Sequence, residues 1–279
     1  MLEPILQTKF EQLHQVLQDC QRVLVAYSGG IDSTLVAKVA FDLLGNRAIA
    51  VTANSPALMP SDLEEAKLQA QAIGIKHQII EGDELQNPNY AANPINRCYF
   101  CKSELYQQLR PLAQAWGYEY IVDGLNADDL QDYRPGIAAA KERGVRSPLA
   151  EVQIGKLEIR QLSQHLQLPW WNKPAQPCLS SRFPYGESIT LEKLQRVGQA
   201  EFYLKQQLRS WGKDWDLRVR SQADIAKIEL PLAHLAEFMQ LVEMNQLNAR
   251  FRSIGFTSVL LDLEGFRSGK LNDVLKIAS

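Results

Sequence analysis

The segment Ser28-Gly29-Gly30-Ile31-Asp32-Ser33 follows directly on the apolar run Val23-Leu24-Val25-Ala26-Tyr27, and it constrains the chain more than any other stretch. An apolar strand empties into a Gly-Gly turn, and residues 34–44 then have helical spacing. Strand, tight turn and helix in that order aim backbone N–H groups and a helix N-terminus at one point. That geometry suits an anion, above all a phosphate. Adjacent glycines admit positive φ and close approach of the backbone to a ligand. Ser28 and Ser33 add hydroxyl donors. Asp32 beside a polyphosphate implies a bridging divalent cation, of which Mg²⁺ is the usual one. The loop has neither the Gly-x-x-x-x-Gly-Lys-Ser/Thr of a Walker A motif nor the Gly-x-Gly-x-x-Gly of a dinucleotide fingerprint. A plain turn with Asp or Ser capping the helix would explain a bare Gly-Gly; the full string is far more specific.

Apolar, β-rich runs at 23–27, 48–53, 77–81 and 118–123 alternate with helical spacing at 34–44, 61–73 and 101–115. This alternation predicts a parallel sheet covered on both faces. Ligands of such sheets sit at the carboxyl ends of strands, here 28–33, 52–55 and 124–129. Ala26, Thr52 and Gly124 therefore join Ser28, Gly29, Gly30, Asp32 and Ser33 as candidate nucleotide contacts. A second region starts near Pro184, with helices expected at 190–211 and 231–247 and strands at 216–220, 225–230 and 256–263. The chain reads as an α/β domain over 1–183 followed by a smaller α+β domain over 184–279.

The chain has 279 residues, of which 46% are hydrophobic, enough to build a core in each domain. Its formal net charge of −2 and the lack of a basic tract argue against nucleic acid as a partner. No apolar run approaches the roughly 18 residues of a membrane span. Residues 1–17 have the pattern of a charged amphipathic helix, not a signal peptide. A cytoplasmic location is expected, so the four cysteines are expected to be reduced, metal-bound or reactive, not disulfide-paired.

Cys98 and Cys101 are spaced to share one face at the start of a helix, whose positive end favours their thiolates. Cys178 follows much later, in Lys173-Pro174-Ala175-Gln176-Pro177-Cys178-Leu179-Ser180-Ser181-Arg182. Cys20 stands apart and reads as a buried structural thiol. A chance Cys-x-x-Cys, a structural zinc site and an iron–sulfur cluster are all open. Structural zinc takes four protein ligands, and of the histidines only His77 and His165 are conceivable fourth ligands. A [4Fe–4S] cluster on three thiolates leaves one iron open for a substrate or an extra sulfide. Three cysteines without an obvious fourth ligand favour that arrangement.

At the Ser-Gly-Gly-x-Asp-Ser string the chain resembles the PP-loop superfamily of N-type ATP pyrophosphatases. Several further segments resemble its LarE-type sulfur transferases. They are Arg97-Cys98-Tyr99-Phe100-Cys101-Lys102, Asp123-Gly124-Leu125-Asn126-Ala127-Asp128-Asp129, Asp132-Tyr133-Arg134-Pro135-Gly136, Ser147-Pro148-Leu149 and Lys173 to Arg182. The resemblance implies a parallel-sheet PP-loop domain and cleavage of ATP to AMP and pyrophosphate, with the loop holding the pyrophosphate end. It implies that a carboxylate of pyridinium-3,5-dicarboxylate mononucleotide is adenylated and converted to a thiocarboxylate, a step towards the nickel-pincer nucleotide of lactate racemase. ATP, Mg²⁺ and a [4Fe–4S] cluster on Cys98, Cys101 and Cys178 are the implied cofactors. Cys178 also matches the cysteine that some members sacrifice as sulfur donor. A sulfide donor and a homo-oligomeric assembly are implied as partners.

Arg218 and Arg220 alternate along a predicted strand and share a face, from which they can grip a phosphate. The resemblance gives them the substrate phosphate; a solvated strand face is the alternative. Arg182 is a further candidate anion contact, and Glu201 and Glu229 are candidate acidic metal or substrate ligands, with an ordinary helix or strand surface as the alternative. Asp128, Asp129 and Asp132 form an acidic cluster that suits a cation, a ribose or a capped turn, and Trp170-Trp171 suits packing beneath a loop. An ammonia-using amide ligase, a tRNA thiolase and a nucleotide-sensing module are the rival functions. The cysteine trio weighs against the first and the charge against the second.

Overall fold

β1 (Val23–Ala26) is apolar at every position because both of its faces are covered. A computed structural model describes residues 2–131, 134–267 and 269–273, so Asp132 and Tyr133 lie outside the described residues. β1 is central in a four-stranded parallel sheet with β2 (Ala48–Asn54), β3 (Lys76–Glu81) and β4 (Tyr120–Val122), in the order β3-β2-β1-β4. Side chains alternate across it. Val23, Val25 and Tyr27 enter an apolar cluster with residues of α1 (Pro4–Asp19) and α2 (Ile31–Leu44), such as Leu13, Leu17, Leu35 and Val39. Leu24 and Ala26 enter the opposite cluster with Tyr106, Leu109 and Ile121. α3 (Pro60–Ile73) starts on a proline and stops at Gly74, which is in the left-handed region.

The expected strand at 118–123 shortens to β4, and two expected helices begin earlier than their apolar spacing suggests. α2 starts at Ile31 on Gly30, and the helix expected over 101–115 spans Arg97–Ala115, so Asp32 and Cys98 sit in first helical turns and Cys101 opens the second turn of its helix. Trp171 is exposed and Trp170 half-buried, so the pair is not sealed beneath a loop.

The chain divides into two compact units, residues 1–90 with 96–176, and residues 91–95 with 177–279. The division therefore falls before Pro177, ahead of the 183/184 boundary expected from the sequence. Residues 91–95 join the second unit through backbone bonds: Gly186 donates to the Asn93 carbonyl (2.8 Å) and Ile189 to that of Ala91 (2.7 Å). The second unit holds the long helix Leu191–Ser210, capped by Thr190, and the strands β5 (Arg218–Gln222), β6 (Ile225–Glu229) and β7 (Ser258–Leu261). β5 and β6 are antiparallel, and β6 and β7 are parallel. The helix expected at 231–247 is broken into Leu235–Leu241 and Met244–Ile254, because the Glu243 carboxylate accepts from the N–H groups of Asn245 and Gln246 and starts a new helix. Among the described residues no helix is long and apolar enough to cross a membrane.

The 3₁₀ turn Leu179–Arg182 is held within this unit by a buried ion pair. Arg182 Nε donates to Glu201 Oε1 at 2.6 Å and Nη2 to Oε2 at 3.0 Å, and the Val219 N–H also donates to Oε1 at 2.9 Å. Burial opposes ionisation of Glu201, but Arg182 and the Val219 N–H outweigh it and hold the carboxyl below its usual range. Removing one partner leaves a buried charge alone. Glu201→Ala is thus expected to cost about 3–5 kcal/mol in urea denaturation. A loss under roughly 1 kcal/mol, the level of an exposed pair, would refute a dry pair.

Candidate active site

The loop after β1 closes on itself before any ligand arrives. Ser28 Oγ and Ser33 Oγ are 3.1 Å apart, Ser33 Oγ donates to the Gly30 carbonyl (3.1 Å), and the Ser28 and Gly30 N–H groups donate to Ser33 Oγ and Ser28 Oγ, each at 3.3 Å. Gly29 has φ +69° and lies against α3, where an added Cβ would come 2.8 Å from Ala66 Cβ. Glycine is needed there on both counts. Lys173 Nζ donates to the Gly29 carbonyl at 2.9 Å. The result is a rigid concave backbone at the N-terminus of α2, suited to an anion.

The segment after β4 comes up against this loop. A Cβ on Gly124 would lie 2.6 Å from Ser33 N, so only glycine allows the approach. Asn126 then reaches Asp32, donating from Nδ2 to Oδ2 at 3.2 Å. Asp129, which is buried, pairs through Oδ1 with Arg134 (2.9 Å) and Lys156 (3.2 Å). Burial, and after it the neighbouring Asp129, push the Asp32 carboxyl up to about 6, against the opposing pull of Asn126, Lys156 and Arg134. A buried and a half-buried carboxylate beside an anion cradle form an environment in which a divalent cation would relieve the repulsion.

Other predicted contacts take different places. Thr52 is buried; its hydroxyl donates to the Tyr27 carbonyl at 2.8 Å and lies 2.8 Å from His77 Nε2. It braces the strand ahead of the loop. Ala26 puts its methyl into the core. Cys98 is exposed and Cys101 partly so, at the N-terminal end of Arg97–Ala115. Gly136 packs against that end, where a Cβ would meet Lys102 Cγ at 3.0 Å. Tyr106, one turn on, donates to Asp123 Oδ2 at 2.8 Å, while Ser147 Oγ donates to Oδ1 at the same distance. The cysteine helix is thereby tied to the end of β4.

In the second unit Cys178 is exposed at the start of the 3₁₀ turn. Its carbonyl accepts from the Ser181 N–H (3.0 Å) and hydroxyl (2.8 Å), and Arg182 Nη1 donates to the Pro177 carbonyl at 3.0 Å. Arg182 therefore fixes the backbone around Cys178 while paired to Glu201, and both Glu201 oxygens are engaged. Arg220 donates from Nε to Glu229 Oε2 (2.9 Å) and from Nη1 to the Ser181 carbonyl (2.6 Å). Arg218 pairs with Asp216 and lies over the Phe266 ring, 5.0 Å from its centroid. Among the described residues, no group of three or more His, Cys, Asp and Glu side chains is gathered so as to hold a metal ion. Asn126 and Lys173 lie in segments that carry the family resemblance, but periodicity and spacing give neither them nor Lys156 a role at this site; folding brings the three there.

The NAD synthase family matches residues 5–92, from α1 through the loop to just beyond β3. An uncharacterized protein of Synechocystis sp., slr1717, is 61% identical over 97% of this chain and 99% of its own length. The pyridinium-3,5-bisthiocarboxylic acid mononucleotide synthase of Lactiplantibacillus plantarum is 42% identical over 97% of this chain and 96% of its own length. A glutamine-hydrolyzing GMP synthase component of Saccharolobus islandicus is 28% identical over 53% of this chain and 44% of its own length. The loop sequence, the parallel sheet that carries it and a full-length match to the L. plantarum synthase lead to one assignment: the chain belongs to the LarE-type pyridinium-3,5-bisthiocarboxylic acid mononucleotide synthase family of PP-loop, ATP-dependent enzymes.

Proposed function

We propose that the chain is an ATP-dependent sulfur transferase that makes a thiocarboxylate from a carboxylate of pyridinium-3,5-dicarboxylate mononucleotide, in nickel-pincer nucleotide synthesis. The carrying observation is the Ser28–Ser33 loop at the carboxyl end of β1, in a chain similar over 97% of its length to a synthase named for that product class. The substrate carboxylate oxygen attacks the α-phosphorus of ATP and pyrophosphate leaves. Sulfur then attacks the acyl carbon and AMP leaves, so each displacement has a good leaving group. The N–H groups of the loop and α2 stabilise the departing pyrophosphate. Asp32 would hold Mg²⁺, with Asp129 as a neighbouring carboxylate, and the bound ion would supply charge neutralisation at the phosphates.

Cys98, Cys101 and Cys178 have the donor chemistry of an iron–sulfur site, all sulfur and at least partly exposed. A [4Fe–4S] cluster on these three would supply an open iron to carry sulfide. Cys178 alone, as the donor, would be left as dehydroalanine. Arg218 and Arg220 are the proposed contacts of the substrate phosphate. A cytoplasmic homo-oligomer supplied by a sulfide donor completes this reading, as the family resemblance implies.

The deciding experiment separates the two half-reactions. Cys98→Ala, Cys101→Ala and Cys178→Ala are each expected to keep substrate-dependent ATP–pyrophosphate exchange and to lose thiocarboxylate formation, read by mass spectrometry of product and protein. Loss of hydrogen sulfide from Cys178 after one turnover would establish the sacrificial route; an unchanged protein mass with repeated turnover supports the cluster. Amide formation from ammonia by the triple variant would overturn sulfur transfer.

Asp32 gives a pH prediction for the metal-free protein. Its folded pKa, about 6, lies above the unfolded value, so the folded state holds this proton more tightly. This contribution to stability is greatest in acid and declines as pH rises towards 6. Asp32→Asn is expected to flatten that decline and to add on the order of 2 kcal/mol near neutral pH, measured by urea denaturation with chelator present. Matching pH profiles in variant and parent would refute the strained carboxyl.

A further inference from the structure

Beneath the loop lies a set of polar side chains to which none of the preceding chemistry assigns a task. Gln69, on α3, is completely buried and makes its bonds only to other protein groups. Its Oε1 accepts from the Tyr27 hydroxyl and from Thr34 Oγ1, each at 2.9 Å. Tyr27 immediately precedes Ser28, and Thr34 immediately follows Ser33. One amide oxygen therefore ties together the chain entering the loop and the chain leaving it. Burial pushes the Tyr27 phenol up to about 12, so it stays a donor to Gln69 at any working pH.

One turn earlier on α3, Glu65 continues the network. Gln69 Nε2 donates to Glu65 Oε1 at 3.2 Å, and Glu65 Oε2 pairs with Lys173 Nζ at 3.1 Å. Lys173, with only 8% of its side chain exposed, donates in turn to the Gly29 carbonyl at 2.9 Å. Ala66, between the two acceptors in sequence, is the residue against which Gly29 packs. The Gly29–Gly30 peptide is planar, so holding the Gly29 oxygen on the Lys173 side fixes the Gly30 N–H on the other.

We propose that Glu65 and Gln69 are positioning residues for ATP, which lock the pyrophosphate loop in its binding conformation from below: Gln69 pins both ends and Glu65, through Lys173, pins the middle. The ligand they serve is the pyrophosphate moiety, as substrate and as leaving product, while the AMP moiety lies outside their reach. Preorganised donors bind an anion without a further ordering cost at the moment of binding. The proposal rests on the sulfur-transferase reading only for its choice of ATP and pyrophosphate as probes.

Glu65→Ala and Gln69→Met test it. Each removes acceptors of the clamp, buried at Gln69 and part-exposed at Glu65, whose loss is expected to raise the KM for ATP and the Kd for pyrophosphate about tenfold, with AMP affinity nearly unchanged. Glu65→Gln, which keeps an acceptor for Lys173, is expected to fall between Glu65→Ala and the parent. Hydrogen exchange of the amides 29–33 in ligand-free protein is expected to quicken in both variants. Unchanged exchange and unchanged pyrophosphate affinity would overturn the proposal, as would equal weakening of AMP and pyrophosphate together with a lowered Tm. Should Gln69→Met fail to fold, the part-exposed Glu65 still provides the test. Should the parent fail to bind pyrophosphate, the functional reading falls, while faster exchange in Glu65→Ala would still establish the clamp.

Discussion

The contact of Gly124 with the backbone of Ser33 is the constraint on which the site depends. It joins two separate strand ends, those of β1 and β4, closely enough that any Cβ would meet the Ser33 nitrogen. That approach carries Asn126 to Asp32 and brings Asp129 near it. With the two segments even slightly further apart, the loop would keep its shape but lose its carboxylate partner. Phosphate recognition and cation recognition are thus coupled through a missing side chain.

The local electrostatics follow from that packing. The first turn of α2 and the loop N–H groups present positive potential, while Asp32 and Asp129 concentrate negative charge beside it. Arg134 and Lys156 offset part of this, and burial, ahead of Asp129, still holds the Asp32 carboxyl above its usual range. A site that holds both signs of potential has the charge pattern that the proposed metal–polyphosphate pair needs.

Much of this is legible in the sequence. The Ser-Gly-Gly-Ile-Asp-Ser string and the apolar run before it locate the loop, because a buried parallel strand and a glycine turn each leave a local signature. The alternation of runs predicts the sheet, but its strand order comes only from the fold. The helix starts at Ile31 and Arg97 escape a periodicity reading, since each first turn lies outside the apolar repeat. The break within 231–247 escapes it too, because a capping Glu looks like any surface Glu. Thr52 stands at the right strand end, but its hydroxyl is used by Tyr27 and His77. Glu65 and Gln69 leave no trace, and Lys173 shows only as the first residue of a resemblance segment, since their task arises from contacts between segments distant in sequence.

Charged residues of the second unit show why type and spacing underdetermine role. Arg182, Arg218 and Arg220 all read as anion contacts, and each has a carboxylate of its own: Glu201, Asp216 and Glu229. Pairing does not remove an arginine from ligand binding, because the guanidinium carries five N–H donors. Arg220 uses Nε on Glu229 and Nη1 on the Ser181 carbonyl. A fork already gripped along one edge has lost its rotamer freedom before a phosphate arrives, so little is left to lose on binding. Arg182 differs in degree, being fully enclosed between Glu201 and the carbonyls of Pro177 and Cys178. Its rigidity is passed to the backbone instead, and leaves Cys178 exposed on a fixed turn, where the thiol is accessible for the role proposed for it.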